Sequence, residues 1–191
     1  MMSSYLAAPL SFLIDTVFSL YIFALLLRFL FQGCGADPRN PVSQFLIRVT
    51  HPPLRLLRRM IPSFGRVDTA GIVLMIALQI TASFLILLVR GESVPLGVVS
   101  VLAISQLIEL ILNVYFYAII IRSLLSWVGP TAYNPAISLL FSLTDPLLYW
   151  SRKILPPTGG IDLSPLVPLV AIQLARMMVL PPLQELAYLL A

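Results

Sequence analysis

The sequence has little charge and almost none of the residues on which metal and redox enzymes depend. Only 10% of its 191 residues are charged, whereas soluble domains carry about 25%. One cysteine, Cys34, excludes an internal disulfide, and one histidine, His51, excludes a two-histidine metal or haem site. Because 59% of the residues are hydrophobic, a soluble monomer could not cover its own surface, and disorder is excluded as well. An integral membrane protein is what remains, and we expect it to have no cofactor or metal.

Long apolar runs account for much of the chain. A helix needs roughly 20 mostly apolar residues to cross a bilayer. Four stretches qualify: Leu10 to Phe31, Thr69 to Val89, Leu96 to Leu125, and Leu163 to Leu180, the last closed by Pro181-Pro182. No segment between them is long enough for a separate catalytic domain, and no catalytic motif is present, so we expect no enzyme.

The basic residues, all arginine except Lys153, concentrate in the two long loops between spans. The positive-inside rule therefore places both long loops in the cytoplasm and both termini on the opposite side. Their position beside spans favours contact with anionic lipids over direct binding of nucleic acid. The residues expected to face lipid are Arg55, Arg58, Arg59, Arg152 and Lys153.

The two halves of the chain match at a constant offset of 94 residues. The matched pairs include Arg28 and Arg122, Asn40 and Asn134, Pro41 and Pro135, Thr50 and Thr144, and Asp68 and Asp162. Chance does not readily align such residues in one register, so we predict two repeats, 1–94 and 95–191. Each repeat has two spans and returns the chain to its starting side, so the repeats are predicted to be parallel.

Each long loop carries helix signals of its own. Asn40 and Asn134 each precede a proline, Pro41 or Pro135, which is typical of an N-cap followed by the first helical residue. A second start is predicted at Thr50 and at Thr144, because each stands just before a proline that would break a helix. The predicted fold is therefore all-α, with four transmembrane helices in two tandem two-helix repeats. Each cytoplasmic loop is expected to hold short amphipathic helices lying at the membrane interface.

Charged residues inside spans are costly and usually face the bundle interior or a cavity. Asp15 and Glu109 are a matched pair, and counting the helical rise from the cytoplasmic ends places Arg176 near the same depth. We predict a cluster of these three residues with a direct contact between Arg176 and Glu109. The cluster would be a structural lock or part of an ion path; alternatively, Asp15 and Arg176 reach the outer interface as isolated residues.

A second set of charges recurs at the cytoplasmic ends of the spans. Arg28 with Asp68, and Arg122 with Asp162, are predicted to form an ion pair in each repeat. The alternative is that Arg28 and Arg122 bind lipid phosphate.

The motif of the second repeat is specific: Arg122-Ser123-Leu124-Leu125-Ser126-Trp127, then Asn134-Pro135, Thr144-Asp145-Pro146 and Gly159-Gly160-Ile161-Asp162. It closely resembles the YggT (YlmG) family of small bacterial and plastid membrane proteins, whose bacterial members often carry two copies. The first copy departs from the motif, with Gly33 in place of Trp127 and His51 in place of Asp145. The resemblance implies a multipass protein of the bacterial inner membrane, without a known catalytic residue set. Plastid relatives are associated with haem attachment to a cytochrome and with membrane or nucleoid organisation, bacterial ones with osmotic or cation stress and cell division.

Two functions follow as hypotheses. The first is a non-enzymatic scaffold or assembly factor that docks unidentified membrane or cytoplasmic proteins and anionic lipids, with a possible homo-oligomer. The second is a small ion channel or transporter component that uses Asp15, Glu109 and Arg176. The scaffold is favoured because the repeated polar residues concentrate at the cytoplasmic loops.

Overall fold

The regular structure is helical throughout the part of the chain that the computed structural model describes, residues 2–62, 67–128, 134–155 and 163–190. The six helices are α1 (Met2–Gly33), α2 (Pro41–Leu57), α3 (Thr69–Arg90), α4 (Leu96–Val128), α5 (Pro135–Ile154) and α6 (Leu166–Leu189). Four of them, α1, α3, α4 and α6, are long and apolar enough to cross a membrane. These are the four spans that the sequence predicts.

The sixth helix is longer than predicted, because Pro181 and Pro182 do not end it. Helix α6 continues through both prolines to Leu189. Proline removes one backbone donor, but a membrane helix tolerates the loss where neighbouring groups or local adjustment satisfy the freed carbonyl. The same tolerance applies to Pro9, which lies within α1.

Glycine and aspartate fix several helix ends. Gly35 and Gly91 have φ angles of 69° and 70°, a left-handed conformation that glycine adopts without steric cost. After each, the chain closes the helix with a bond back to an earlier carbonyl: Ala36 N to Phe31 O at 2.9 Å, and Glu92 N to Leu87 O at 3.0 Å. Asp68 begins α3, where its carboxylate accepts the Gly71 N–H at 3.3 Å.

The spans pack as two pairs that lie side by side. Helix α1 packs on α3, α4 packs on α6, and α3 contacts α4 to join the pairs. The loop helices cover one end: α2 contacts α1 and α3, while α5 contacts α4 and α6 and also reaches α1 and α2. The largest buried cluster gathers at that end, with Ile22, Leu26, Leu54, Ala70 and Leu143 among its members. The repeats therefore meet both through their spans and through their loop helices.

Most of the apolar surface of the spans lies on the outside of the molecule. In the most apolar stretch of each span, between 11% and 28% of the residues are buried. Exposed apolar area of this extent requires a hydrocarbon solvent. The helices are therefore held together by close packing and hydrogen bonds rather than by the hydrophobic effect.

Candidate functional site

In the described part of each loop there is one continuous helix, so the predicted second start at Thr50 and Thr144 is wrong. Both threonines lie inside a helix and are fully buried, at 0% exposure. Their hydroxyls donate to the carbonyl four residues earlier, Leu46 O at 2.6 Å and Leu140 O at 2.7 Å. The prolines that follow lie within α2 and α5 without ending them.

The arginine at the end of a span explains why the threonines are buried. Arg28 donates through Nη1 to Thr50 Oγ1 at 2.8 Å and to Ile47 O at 3.4 Å. Arg122 donates to the matched acceptors, Thr144 Oγ1 at 2.7 Å and Phe141 O at 3.2 Å. We call these two arrangements the first clamp (Arg28, Thr50, Ile47 O) and the second clamp (Arg122, Thr144, Phe141 O). Each clamp fastens a span to the loop helix that follows it.

A tyrosine supports the unbroken helix in the first repeat. Pro53 has no N–H with which to bond the carbonyl of Val49, four residues earlier. The hydroxyl of Tyr21 lies 3.4 Å from that oxygen and donates to it. A tertiary contact from α1 thus supplies the donor that Pro53 removes from the local hydrogen-bond pattern.

The predicted ion pair between Arg28 and Asp68 is not formed. Asp68 is buried and pairs with Arg58, whose Nη2 lies 2.5 Å from its Oδ2. The Asp68 carboxylate also caps α3, so Arg58 and Asp68 connect the end of α2 to the start of α3. Arg58 is therefore engaged with a protein carboxylate while its side chain stays partly exposed. The matching pair of Arg122 with Asp162 cannot be compared, since Asp162 lies outside the described residues.

The two clamps differ in charge. In the second, Asp145 lies 2.6 Å from Arg122 Nη1, and the guanidinium also lies over the Phe141 ring, 4.6 Å from its centre. In the first, His51 stands where the second repeat has Asp145. Within the described ranges, no carboxylate lies within ion-pair distance of Arg28. The first clamp is therefore a cation held by neutral acceptors.

Asn40 and Asn134 begin α2 and α5, where the sequence places them. The side-chain oxygen of each accepts a backbone N–H two residues on, from Val42 and Ala136, at 2.9 Å. Pro41 and Pro135 are the first helical residues. Asn40 does more: its amide donates to Pro135 O at 2.8 Å and to Ser138 Oγ at 3.1 Å. This Asn40 bridge joins the two loop helices across the repeats.

The predicted contact between Arg176 and Glu109 is absent. Asp15 and Glu109 are exposed, while Arg176 donates to Asn113 Oδ1 at 2.5 Å and lies 5.4 Å from the centre of the Phe116 ring. Helix α6 begins at Leu166, so Arg176 lies about 15 Å along it, less deep than the count from Asp162 implied. Asn113 is one turn closer than Glu109 to the end where α4 finishes. The buried Arg176 Nε has no hydrogen-bond partner among the described residues.

The other basic residues that were expected to face lipid lie near the ends of the loop helices. Arg55 and Arg59 are exposed at the end of α2, and Arg152 and Lys153 at the end of α5. The Lys153 ammonium lies 4.5 Å and 4.9 Å from the ring centres of Tyr149 and Trp150. In the described part of the chain, no three histidine, cysteine, aspartate or glutamate side chains gather as metal ligands do.

Sequence reasoning missed the partners of several polar residues. Gln106 accepts from Gln79 at 2.6 Å between α4 and α3, and Asn113 holds Arg176. The Cys34 thiol lies 3.9 Å from the Tyr115 hydroxyl and 4.0 Å from Leu143 O. Tyr115 matches Tyr21 at the repeat offset, and this recurrence was the available signal that both tyrosines have a structural role.

Taken together, a helical chain with four apolar spans and two copies of one polar clamp is a multipass membrane protein built from a tandem repeat. The sequence model of the CCB3/YggT family matches the chain twice, over residues 7–89 and 101–183. The chain belongs to the CCB3/YggT family.

Bacterial relatives match most of the chain, and a plastid relative matches a shorter part. An uncharacterized protein of Pseudomonas aeruginosa is 43% identical over 171 residues, 88% of this chain and 87% of the relative. The uncharacterized protein YggT of Escherichia coli K12 is 33% identical over 175 residues, 92% of this chain and 91% of the relative. A chloroplastic YlmG homolog of Arabidopsis thaliana is 39% identical over 56 residues, 29% of this chain and 22% of that protein. No solved structure matches the chain.

Proposed function

We propose that this protein is a non-enzymatic scaffold or assembly factor of the bacterial inner membrane, whose basic cytoplasmic face docks partner proteins and anionic lipids. The observation that carries the proposal is where the polar contacts lie. Both clamps fasten a loop helix to a span, and the Asn40 bridge fastens α2 to α5. A surface fixed in this way can be recognised without first being ordered, which lowers the entropic cost of binding.

Charge supports the orientation in this proposal. Arg55, Arg59, Arg152 and Lys153 are exposed on the loop helices, and arginine and lysine in short loops mark the cytoplasmic side. The two-span repeats are then parallel, and both termini face the periplasm. The amphipathic α2 and α5 lie along the headgroups, where Tyr149 and Trp150 suit the membrane interface.

Site-specific crosslinking in cells tests the scaffold. A photoreactive residue replaces Met60, which is exposed just beyond α2, and crosslinked proteins are identified by mass spectrometry. The double variant Arg55→Glu, Arg59→Glu reverses the charge of this surface, while the control Arg90→Glu reverses an exposed charge at the end of α3, next to the short α3–α4 connection. We expect a defined partner that the double variant loses and the control keeps. A crosslink pattern that is the same in all three proteins contradicts the proposal.

The ion-transport alternative is favoured by one observation, the half-buried Arg176 with no carboxylate partner among the described residues. An intramembrane arginine is a functional candidate by default, because its burial is costly. Flux of potassium, sodium, protons or chloride through liposomes containing the purified protein distinguishes the two functions. Flux that is abolished by Arg176→Met overturns the scaffold, whereas impermeable liposomes exclude the alternative.

A further inference from the structure

A cavity of about 280 Å³ lies between the last turns of α1 and the first half of α2. Its walls include Arg28, Phe31 and Gln32 from α1 and Ser43, Leu46 and Ile47 from α2. Since one water molecule occupies roughly 30 Å³, the cavity has room for a phosphate group and the atoms attached to it. It lies at the end of a span, at the level of the first clamp.

The first feature that identifies a ligand is the charge of Arg28. Its Nη1 is satisfied by Thr50 and Ile47, but both acceptors are neutral. The nearby Asp68 is held by Arg58. The second repeat shows what is missing, because there Asp145 neutralises Arg122 at 2.6 Å. A half-buried cation without a counter-charge favours an anion from outside the chain.

The second feature is independent of charge. Ser43 is 6% exposed, and its buried Oγ has no hydrogen-bond partner within the described ranges. A buried hydroxyl is costly when left unpaired, yet the matched residue of the second repeat is the apolar Ile137. The first repeat therefore has a positive charge without a counter-charge and an unused donor at this cavity. At the equivalent described positions, the second repeat has Asp145 beside its arginine and Ile137 in place of the serine.

Arginine, a hydroxyl and a helix N-terminus are the groups with which proteins hold phosphate. Ser43 is the third residue of α2, a helix of 17 residues, so the positive end of the helix dipole adjoins the cavity. Bonds from Cys34 N and Ala36 N to Leu30 O and Phe31 O satisfy carbonyls at the end of α1, which lessens their repulsion of an anion. Apolar walls such as Phe31 and Leu46 suit the part of the ligand next to the phosphate.

We propose that Arg28 and Ser43 bind the phosphate of one anionic phospholipid in this cavity, and that the second repeat has no such site. The identity of the ligand as a lipid rests on the proposed function, in which this face of the protein meets anionic lipids. The binding chemistry is that of a phosphate group, and free inorganic phosphate is the other possible source.

Native mass spectrometry of the purified full chain tests the proposal by counting bound phosphatidylglycerol during a titration in detergent, with phosphatidylcholine and inorganic phosphate as separate arms. His51→Asp gives Arg28 the carboxylate that Arg122 has, and Ser43→Ala removes the unused hydroxyl. We expect each variant to bind phosphatidylglycerol about tenfold more weakly than the native protein, the effect of losing one charge-assisted interaction. The matched control, Ile137→Ala at the position equivalent to Ser43, should leave the titration unchanged.

Ser43→Ala removes no hydrogen bond within the protein, so its melting temperature without lipid should be no lower than that of the native chain, and a loss of binding cannot be attributed to misfolding. Equal binding of phosphatidylglycerol and phosphatidylcholine, or unchanged binding in both variants, overturns the site. Saturation by inorganic phosphate at the expense of lipid overturns the lipid as ligand. Arg55→Glu, Arg59→Glu should reduce only the weaker binding of further phosphatidylglycerol molecules and leave the affinity of the first unchanged, so failure of the scaffold test leaves this result intact.

Discussion

Replacing Thr50 by valine should lower the stability of the folded protein more than the same change at any threonine outside the clamps. Valine keeps the branched shape of threonine but removes the hydroxyl, which accepts from Arg28 at 2.8 Å and donates to Leu46 O at 2.6 Å. Thr81 is the matched control. It makes the same bond to the carbonyl four residues earlier, Ala77 O at 2.7 Å, but contacts no arginine and is exposed.

The expected loss of stability depends on which hydrogen bonds and ion pairs each arginine keeps after its threonine is replaced. Hydrogen bonds to charged groups contribute about 1.5–3 kcal/mol in soluble proteins, while those between membrane helices average about 0.6 and reach about 1.7 kcal/mol. Arg28 would retain only the longer contact with Ile47 O, so we expect Thr50→Val to cost about 1.5 kcal/mol. Thr144→Val should cost less, since Asp145 still holds Arg122. Thr81→Val should lie within about 0.5 kcal/mol of the native protein.

Reversible unfolding in mixed micelles of mild detergent and dodecyl sulfate measures these differences. Helical circular dichroism follows the transition, and each variant is compared with the native chain in the same preparation. The expected order of destabilisation is Thr50→Val, then Thr144→Val, then Thr81→Val. If Thr50→Val and Thr81→Val unfold together, the first clamp contributes nothing to stability and the reasoning is refuted.

Three further predictions concern the other polar contacts, all read from thermal stability in detergent. Asn40→Asp should cost about 1–3 kcal/mol of stability, because the carboxylate still caps α2 but places a negative charge against the oxygens of Pro135 and Ser138. Asn134→Asp should be tolerated, and equal losses in the two variants would argue against the Asn40 bridge. Arg176→Leu should destabilise, and Arg176→Leu with Asn113→Leu should recover part of the loss; additive losses would show the two residues to be uncoupled. Glu109→Gln should change stability by less than about 0.5 kcal/mol, and a larger loss would indicate a role in packing.

The sequence allowed the spans and the N-caps to be predicted because both are local. Apolar runs of sufficient length specify spans, and Asn40-Pro41 specifies a helix start within two residues. The clamps depend on residues about twenty positions apart. The sequence showed that Arg28 and Thr50 recur, but it led to Asp68 as the partner of Arg28 instead of Thr50. Helices α2 and α5 continue through Pro52 and Pro146. Each helix is fastened to a span by a clamp, a long-range contact that the local Thr-x-Pro pattern does not contain.

Depth in the membrane was harder to predict than helix position. The expected contact between Arg176 and Glu109 relied on counting from Asp162, but α6 begins at Leu166. A shift of a few residues moves a side chain by about one helical turn, or 5.4 Å, which is enough to replace Glu109 by Asn113 as the partner. The cost of burying arginine predicts that Arg176 contacts a polar residue of α4. Which residue of α4 it contacts is known only from the structure.

The Asn40 bridge bears on why two repeats are joined in one chain. Asn40 of the first repeat donates to Pro135 of the second, whereas Asn134 caps its own helix. In a symmetric dimer of single repeats, both asparagines would be the same residue in the same surroundings, and every residue near the axis would have to suit two roles at once. Covalent fusion removes that restriction. The second repeat can then keep its arginine neutralised by Asp145, while the first has His51 in place of the acid. Fusion therefore allows the two repeats to acquire different side-chain chemistry while they keep the same fold.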